Sequence, residues 1–241
     1  MKAAGLGLGL VLLGASAAQA HVVLDGDQVQ ALLGGIAREL RTTREAPAAM
    51  EQAESQIRLG ESVDALVELL NQELAAHGDG NLLPQLVVRR LEAYGVSVTL
   101  SRRTRRYVYD LAAFREYLRR APAGRWAAEA RFRLIAARFH EAPAPDTTTG
   151  SGDVAALRDA VREQERFLRD YPRHERAPLV RFYLGVDAYR VMRAAPDAGT
   201  VQAYKQQARR ALEEVADTGG ETAEARAAQV LLERLSAPQR P

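Results

Sequence analysis

The fold is decided by residues 167–185, which read FLRDYPRHERAPLVRFYLG. Pro172 disfavours the helical conformation at the residue before it, so a helix that contains Phe167 and Leu168 ends near Tyr171. Apolar and small residues then recur at helical spacing from Ala177 onward. The stretch therefore predicts two helices that are joined by a short turn.

The same pattern recurs before and after this stretch. Pro122 aligns with Pro172 at an offset of 50 residues, and the aromatic, alanine and leucine positions around the two prolines match without a gap. A third copy aligns at an offset of 45, where Leu212 stands opposite Phe167 and Asp217 replaces the proline. One helix pair cannot bury its apolar face alone, so we expect the copies to stack and share a core.

Residues 107–236 resemble the tetratricopeptide (TPR) repeats of Gram-negative envelope proteins. They are similar to the repeats of the outer-membrane β-barrel assembly lipoprotein and of the Tol-Pal-associated TPR protein. The resemblance implies an all-α fold of helical hairpin repeats, a TPR-like α-solenoid. It also implies a non-enzymatic scaffold or adaptor that binds an envelope protein partner. The middle copy fits best, with Gly185 where helices approach closely; the first copy has Ile135 at that position, and no cysteine is present for lipidation.

The N-terminus has the three parts of a secretory signal peptide. Lys2 supplies the positive charge, residues 6–13 are apolar, and Ala18-Gln19-Ala20 is a small-x-small cleavage site. The apolar stretch is shorter than the ~20 residues that a membrane span needs. We therefore predict cleavage before His21, export to the periplasm and no transmembrane span.

Outside the repeats, the chain divides into a signal peptide (1–20), an N-terminal helical region (21–100) and the repeat region (101–241). Periodicity predicts helices over 25–44, 47–77 and 82–94, with Gly60 as a break in the second. Alternating β-branched residues predict a small hairpin near 96–109. The segment 142–152 is too poor in apolar residues to pack and is expected to be a flexible loop.

Charge is segregated along the chain. Residues 21–100 hold six arginines and twelve acids, whereas residues 102–140 hold eleven arginines and three acids. One interpretation is that the acidic N-terminal region packs on the basic middle segment. The other is that the basic segment is an exposed stripe for an anionic partner.

Two groups of arginines are candidate partner-binding residues. Arginine forks match carboxylate and phosphate oxygens, so an acidic protein face, an anionic lipid or an anionic glycan would suit them. Nucleic acid is not expected, because the protein is predicted to be exported and its abundance of arginine and alanine is typical of GC-rich coding sequences. The candidates are Arg102, Arg103, Arg105 and Arg106 in the basic segment, and Arg158, Arg162 and Arg169 on one predicted helix.

The sequence contains no recognisable catalytic arrangement. The four histidines are not spaced as zinc-protease ligands, and there is no nucleophile elbow or phosphate-binding loop. With no cysteine in the chain, disulfides and thiolate zinc sites are excluded. No cofactor, metal or enzymatic activity is therefore expected.

Trp126, the only tryptophan, is expected to pack in the core.

Overall fold

The computed structural model describes residues 26–78, 82–142 and 151–237. The described residues form an all-α fold with one small antiparallel hairpin, which confirms the predicted fold class. In chain order the elements are α1 Gly26–Glu45, α2 Ala49–His77, α3 Leu82–Ala93, β1 Val98–Leu100, β2 Tyr107–Tyr109, α4 Ala112–Arg120, α5 Ala127–Glu141, α6 Ser151–Asp170, α7 Ala177–Ala194, α8 Ala198–Thr218 and α9 Ala223–Ser236.

The chain forms two compact units that meet in sequence between Leu134 and Ile135, within α5. In the N-terminal unit α2 is the central helix, since α1, α3, α4 and β2 all pack on it. The predicted break at Gly60 is wrong, because α2 is continuous. A Cβ atom at Gly60 would lie 2.6 Å from the Phe114 ring, so the glycine allows α4 to approach α2.

The predicted hairpin is present, with Val98 opposite Tyr109 and Leu100 opposite Tyr107. It is tied to α2 by the buried side chain of Asn71. The Asn71 Oδ1 atom accepts from the Tyr107 N–H at 2.6 Å, and Nδ2 donates to the Tyr107 carbonyl at 3.0 Å. A single amide side chain therefore satisfies both backbone groups of Tyr107, as a neighbouring strand would do.

In the C-terminal unit α7 is the central helix, with α6, α8 and α9 packed on it. Every residue from 182 to 192 is buried, as expected for a helix enclosed on all sides. Gly185 lies against α8, where an added Cβ atom would be 2.7 Å from two carbon atoms of Leu212. The predicted close approach at Gly185 is therefore present.

The turns of the first two repeats have the same backbone hydrogen bonds at an offset of 50 residues. In each turn the chain leaves one helix, forms two turn bonds and begins the next helix. In the first turn the bonds are Ala121 N to Tyr117 O, Gly124 N to Ala121 O, Ala127 N to Gly124 O and Ala130 N to Trp126 O. In the second turn, in the same order, they are Tyr171 N to Phe167 O, His174 N to Tyr171 O, Ala177 N to His174 O and Val180 N to Arg176 O. The offset of 50 is confirmed at the level of individual hydrogen bonds.

The two turns differ in how they satisfy one equivalent backbone N–H. In the first, the Trp126 N–H donates to the Tyr117 hydroxyl at 3.0 Å, and a Cβ atom at Gly124 would lie 2.4 Å from that hydroxyl. In the second, Phe167 has no hydroxyl, and the Arg176 N–H donates to Nδ1 of His174 at 3.2 Å. The pair Tyr117 and Gly124 in the first turn thus corresponds to the pair Phe167 and His174 in the second. In each turn a side chain of the pair accepts the hydrogen bond from the equivalent backbone N–H.

The third turn corresponds to the second at an offset of 48, so the predicted offset of 45 is wrong. Gly219 N bonds to Val215 O and Thr222 N to Gly219 O, which are the counterparts of the bonds at Tyr171 and His174. Without a proline, α8 continues to Thr218, and the Thr222 hydroxyl then caps α9 by accepting from the Ala225 N–H.

Several predictions concern residues that lie outside the described part of the chain. The signal peptide is among them, and so is most of the expected loop, at residues 143–150. Residues 151 and 152, which were expected in the loop, belong to α6. No helix in the described part of the chain is both long and apolar enough to cross a membrane.

Candidate partner-binding surfaces

The basic segment, residues 101–106, is the connection between the two strands of the hairpin. Ser101 N donates to Arg106 O, and Arg105 N donates to Ser101 O, both at 2.8 Å. Arg105 closes the turn in the left-handed region, with φ of 53°. The side chains of Arg102, Arg103, Arg105 and Arg106 are all exposed, so the segment is a surface feature as expected.

Part of the charge segregation is an internal match between the basic middle of the chain and α2. Arg106 pairs with Glu68 at 3.0 Å, Arg125 with Glu54 at 3.0 Å, and Arg133 with Asp64 at 3.6 Å. The Arg106 and Glu68 side chains are 56% and 58% exposed, so that pair adds little to stability. The internal match is therefore present for these three arginines, whereas an anionic partner for the basic segment stays a prediction.

An apolar cleft of about 480 Å³ lies beside the basic segment. Its lining has five apolar or aromatic residues, Leu74, Val88, Val98, Leu100 and Tyr107, and four polar ones, Gln85, Arg89, Glu92 and Thr99. Leu100 is 44% exposed there. The sequence did not reveal this cleft, because it is formed by residues of α2, α3 and the hairpin that are far apart along the chain.

The second group of arginines forms a basic ridge on α6, which we define as Arg158, Arg162, Arg166 and Arg169. Their spacing places all four on one face of the helix. Arg162 pairs with Asp159, and Arg169 pairs with Asp170 at 3.2 Å. The structure thus brings Arg158, Arg162 and Arg169 together as predicted, and adds Arg166 to them.

Arg158 differs from the other members of the ridge because it is half-buried. Its Nε atom is enclosed and has no hydrogen-bond partner among the described residues. The other ridge side chains are exposed and lie beside acids on the same helix. Exposed pairs of this kind exchange partners at little cost, so the ridge is available to outside carboxylates.

Behind the ridge, a buried polar cluster joins α6 to α7. Gln164 Nε2 donates to Asp187 at 2.7 Å, and Arg190 donates to the other carboxylate oxygen at 2.5 Å. The guanidinium carbon of Arg190 lies 4.8 Å from the centre of the Phe139 ring. Burial raises the pKa of Asp187, while Arg190 and Gln164 oppose that rise. The cluster was not predicted from the sequence, although Asp187 and Arg190 form an i,i+3 acid–arginine pair within an otherwise apolar helix.

Trp126 is 37% exposed, with the Arg125 guanidinium 5.3 Å from its ring centre, so the expectation of core packing is wrong. The turn holds the residue by its backbone N–H rather than by its indole.

Within the described residues, no group of three or more His, Asp or Glu side chains is arranged to hold a metal ion.

Comparisons with protein-family models, curated proteins and solved structures find no match to this chain.

Proposed function

We propose that the protein is a periplasmic, non-enzymatic scaffold or adaptor that holds an envelope protein partner on its TPR-like helical repeats. The observation that carries the proposal is the duplicated turn, with equivalent backbone hydrogen bonds at positions 50 residues apart. Helix pairs joined by equivalent turns are the building units of repeat proteins, and such proteins use their repeats as extended binding surfaces.

The basic ridge of α6 is the part of the repeats that we assign to the partner. It concentrates four guanidinium groups on one face of α6, beside three exposed acids, Asp159, Glu165 and Asp170, two of which pair with arginines of the ridge. Arginine forks bind carboxylates in a bidentate manner, so the partner is expected to present acidic side chains. The buried cluster behind the ridge fixes α6 against α7 and keeps this face in place.

The test is a pull-down from periplasmic extract with the mature protein as bait. The double variant Arg162→Glu with Arg169→Glu should lose the partner, since two attractive contacts become repulsive. Arg38→Glu with Arg41→Glu on α1 changes the same number of exposed arginines and should retain it. Equal retention by both double variants would contradict the assignment of the ridge.

A second function, binding of anionic lipid or glycan, is favoured by the exposure of the four arginines of the basic segment. Binding of this kind rests on surface charge and weakens steeply as salt screens it. Sedimentation with phosphatidylglycerol vesicles at low and high salt separates the two functions. Salt-sensitive sedimentation together with a failed pull-down would favour the lipid binder.

A further inference from the structure

The N-terminal half of α3 presents an apolar stripe to solvent. Leu82 is 67% exposed and Leu86 is 58% exposed, and their separation of one helical turn places them on the same face of the helix. The opposite face of α3, with Pro84, Val87 and Leu91, is buried in the N-terminal unit. Leu82 and Leu86 therefore form one patch rather than two isolated exposed side chains.

The basic segment lies at the same end of the N-terminal unit as these two leucines. Only residues 94–97 separate α3 from β1, and Gln85 near the start of α3 lines the same cleft as Leu100. The chain therefore reverses after α3, and β1 runs back towards the start of the helix. At ~1.5 Å of rise per residue, Leu86 lies about 10 Å before the end of α3, and the reversed strand carries Leu100 and the segment after it in that direction.

The charges at this end of the unit are almost all positive. Residues 82–90 hold two arginines and no acid, and residues 100–106 hold four arginines and no acid. All six arginines are exposed. Glu68 on α2 is paired with Arg106, and Glu92 lines the cleft. A partner that is anionic and also accepts apolar side chains complements this surface.

The surface of an anionic membrane meets both requirements. Leu82 and Leu86 lie on the outer face of a helix and do not line the cleft, so they project from the protein. A membrane interface accepts projecting leucines without a matching shape, since amphipathic helices bury their apolar face about 5–10 Å into it. Arg89 and Arg90 follow one turn after Leu86, and their long side chains can reach back to the phosphates while the leucines enter. Guanidinium forks match phosphate oxygens.

We infer that Leu82, Leu86, Leu100 and the six arginines form one surface, the tip surface, which docks on a bilayer of anionic phospholipid. The leucines enter the membrane interface and the arginines bind the phosphates. The inference rests on the second function proposed above and deepens it, because it names the bilayer rather than a glycan as the ligand. It also adds apolar residues, which adsorption through charge alone does not need.

A fluorophore at a single position tests whether the leucines enter the lipid. Because the sequence contains no cysteine, one introduced cysteine can be labelled selectively with nitrobenzoxadiazole. Leu86→Cys reports from the tip surface, and Met50→Cys on α2 is the matched control, since both residues are 58% exposed. With phosphatidylglycerol vesicles, the emission from position 86 should shift to the blue and be quenched by lipids that carry a nitroxide on the acyl chain. Phosphatidylcholine vesicles should produce neither change, and position 50 should report water with both.

A pair of double variants measures how much the leucines contribute. Leu82→Ser with Leu86→Ser should weaken partitioning of the mature protein onto phosphatidylglycerol vesicles by about tenfold or more, since two leucine side chains no longer leave water. Met50→Ser with Val230→Ser removes two exposed apolar side chains elsewhere and should partition as the wild type does. All four positions are exposed, so far-UV circular dichroism should be unchanged in both double variants.

Three results would overturn the inference. The first is sedimentation with anionic vesicles while the label at position 86 stays in water, in which case the second function would stand as adsorption through charge alone. The second is an equal loss of partitioning in both double variants. The third is a blue shift that membrane-free periplasmic extract produces and vesicles do not, which would assign the tip surface to a protein.

Failure of the inference can be distinguished from failure of the proposed functions. Absence of any sedimentation with anionic vesicles would overturn the second function together with the inference. The basic ridge lies on α6 and contributes no residue to the tip surface, so Arg162→Glu with Arg169→Glu should sediment as the wild type does. The pull-down therefore tests the first function independently of the lipid measurements.

Discussion

Replacement of Gly185 by leucine tests the packing of the repeats most severely. A Cβ atom there would be 2.7 Å from both Cγ and Cδ2 of Leu212, well inside the 3.4–4 Å of an ordinary contact. Leu212 is itself fully buried, so it has no open space to move into. Overpacking costs about 1–3 kcal/mol for small insertions, and the three further carbon atoms of leucine place Gly185→Leu at or above that upper limit.

Alanine at the same position gives a graded version of the test. Gly185→Ala adds only the Cβ atom, and its overpacking is offset by about 1 kcal/mol of helix propensity, so a smaller loss is expected. Gly35→Ala in α1 is the control, since the nearest atom to its Cβ is an arginine nitrogen at 3.9 Å. The control should raise stability by up to about 1 kcal/mol.

Thermal unfolding followed by circular dichroism measures the stability of all three variants. For a unit of about 100 residues, a loss of 3 kcal/mol lowers the thermal midpoint by roughly 10–20 °C. Leu212→Ala should cost less in the Gly185→Leu background than in the wild type, because it removes the atoms that clash. An unchanged midpoint for Gly185→Leu, or additive effects of the two changes, would refute the close approach of α7 and α8.

Four further predictions follow from particular contacts and segments. Gly124→Ala should destabilise the wild type but be tolerated in a Tyr117→Phe background, because the hydroxyl 2.4 Å from its Cβ is then gone; thermal midpoints of the four proteins measure the coupling. Burial raises the pKa of Asp64 to about 6, although the nearby Arg133 opposes the rise. The charged carboxylate therefore destabilises the folded state increasingly as the pH rises from 4 through 6. Asp64→Asn should raise the thermal midpoint more at pH 7.5 than at pH 4.5. The intact mass of the exported protein should correspond to cleavage before His21, and a mass that retains the signal would contradict it. Replacement of all four arginines of the basic segment by glutamine should leave far-UV circular dichroism unchanged and reduce sedimentation with anionic vesicles; loss of folding would instead assign the segment to the internal charge match with α2.

The elements that local sequence determines were predicted well. The proline at 122 and again at 172 ends a helix by a local steric effect, so the first two repeats and their offset were evident from the sequence. The alternating β-branched residues likewise predicted the hairpin. Where the proline is absent, the end of α8 depends on Gly219 and on the Thr222 cap, and the predicted offset was wrong by three residues.

Features that depend on long-range packing could not be predicted in the same way. Gly60 has the composition of a helix break, but its function is set by the Phe114 ring, 54 positions further along the chain. The cleft beside β1 is formed by residues of three elements, and the burial of Asp187 depends on the helices that surround α7.

Exposure of the basic segment was predicted because four arginines in six residues cannot be buried without matched acids.

The proposed function requires that a protein partner binds the outward face of α6. A photo-reactive benzoylphenylalanine at position 162 places a cross-linker on that face, and the same residue at position 38 on α1 serves as the control. After irradiation of intact cells, we expect one discrete protein cross-link from position 162 and none of the same mass from position 38. Cross-links of equal mass and yield from both positions, or a cross-link to lipid alone from position 162, would contradict it.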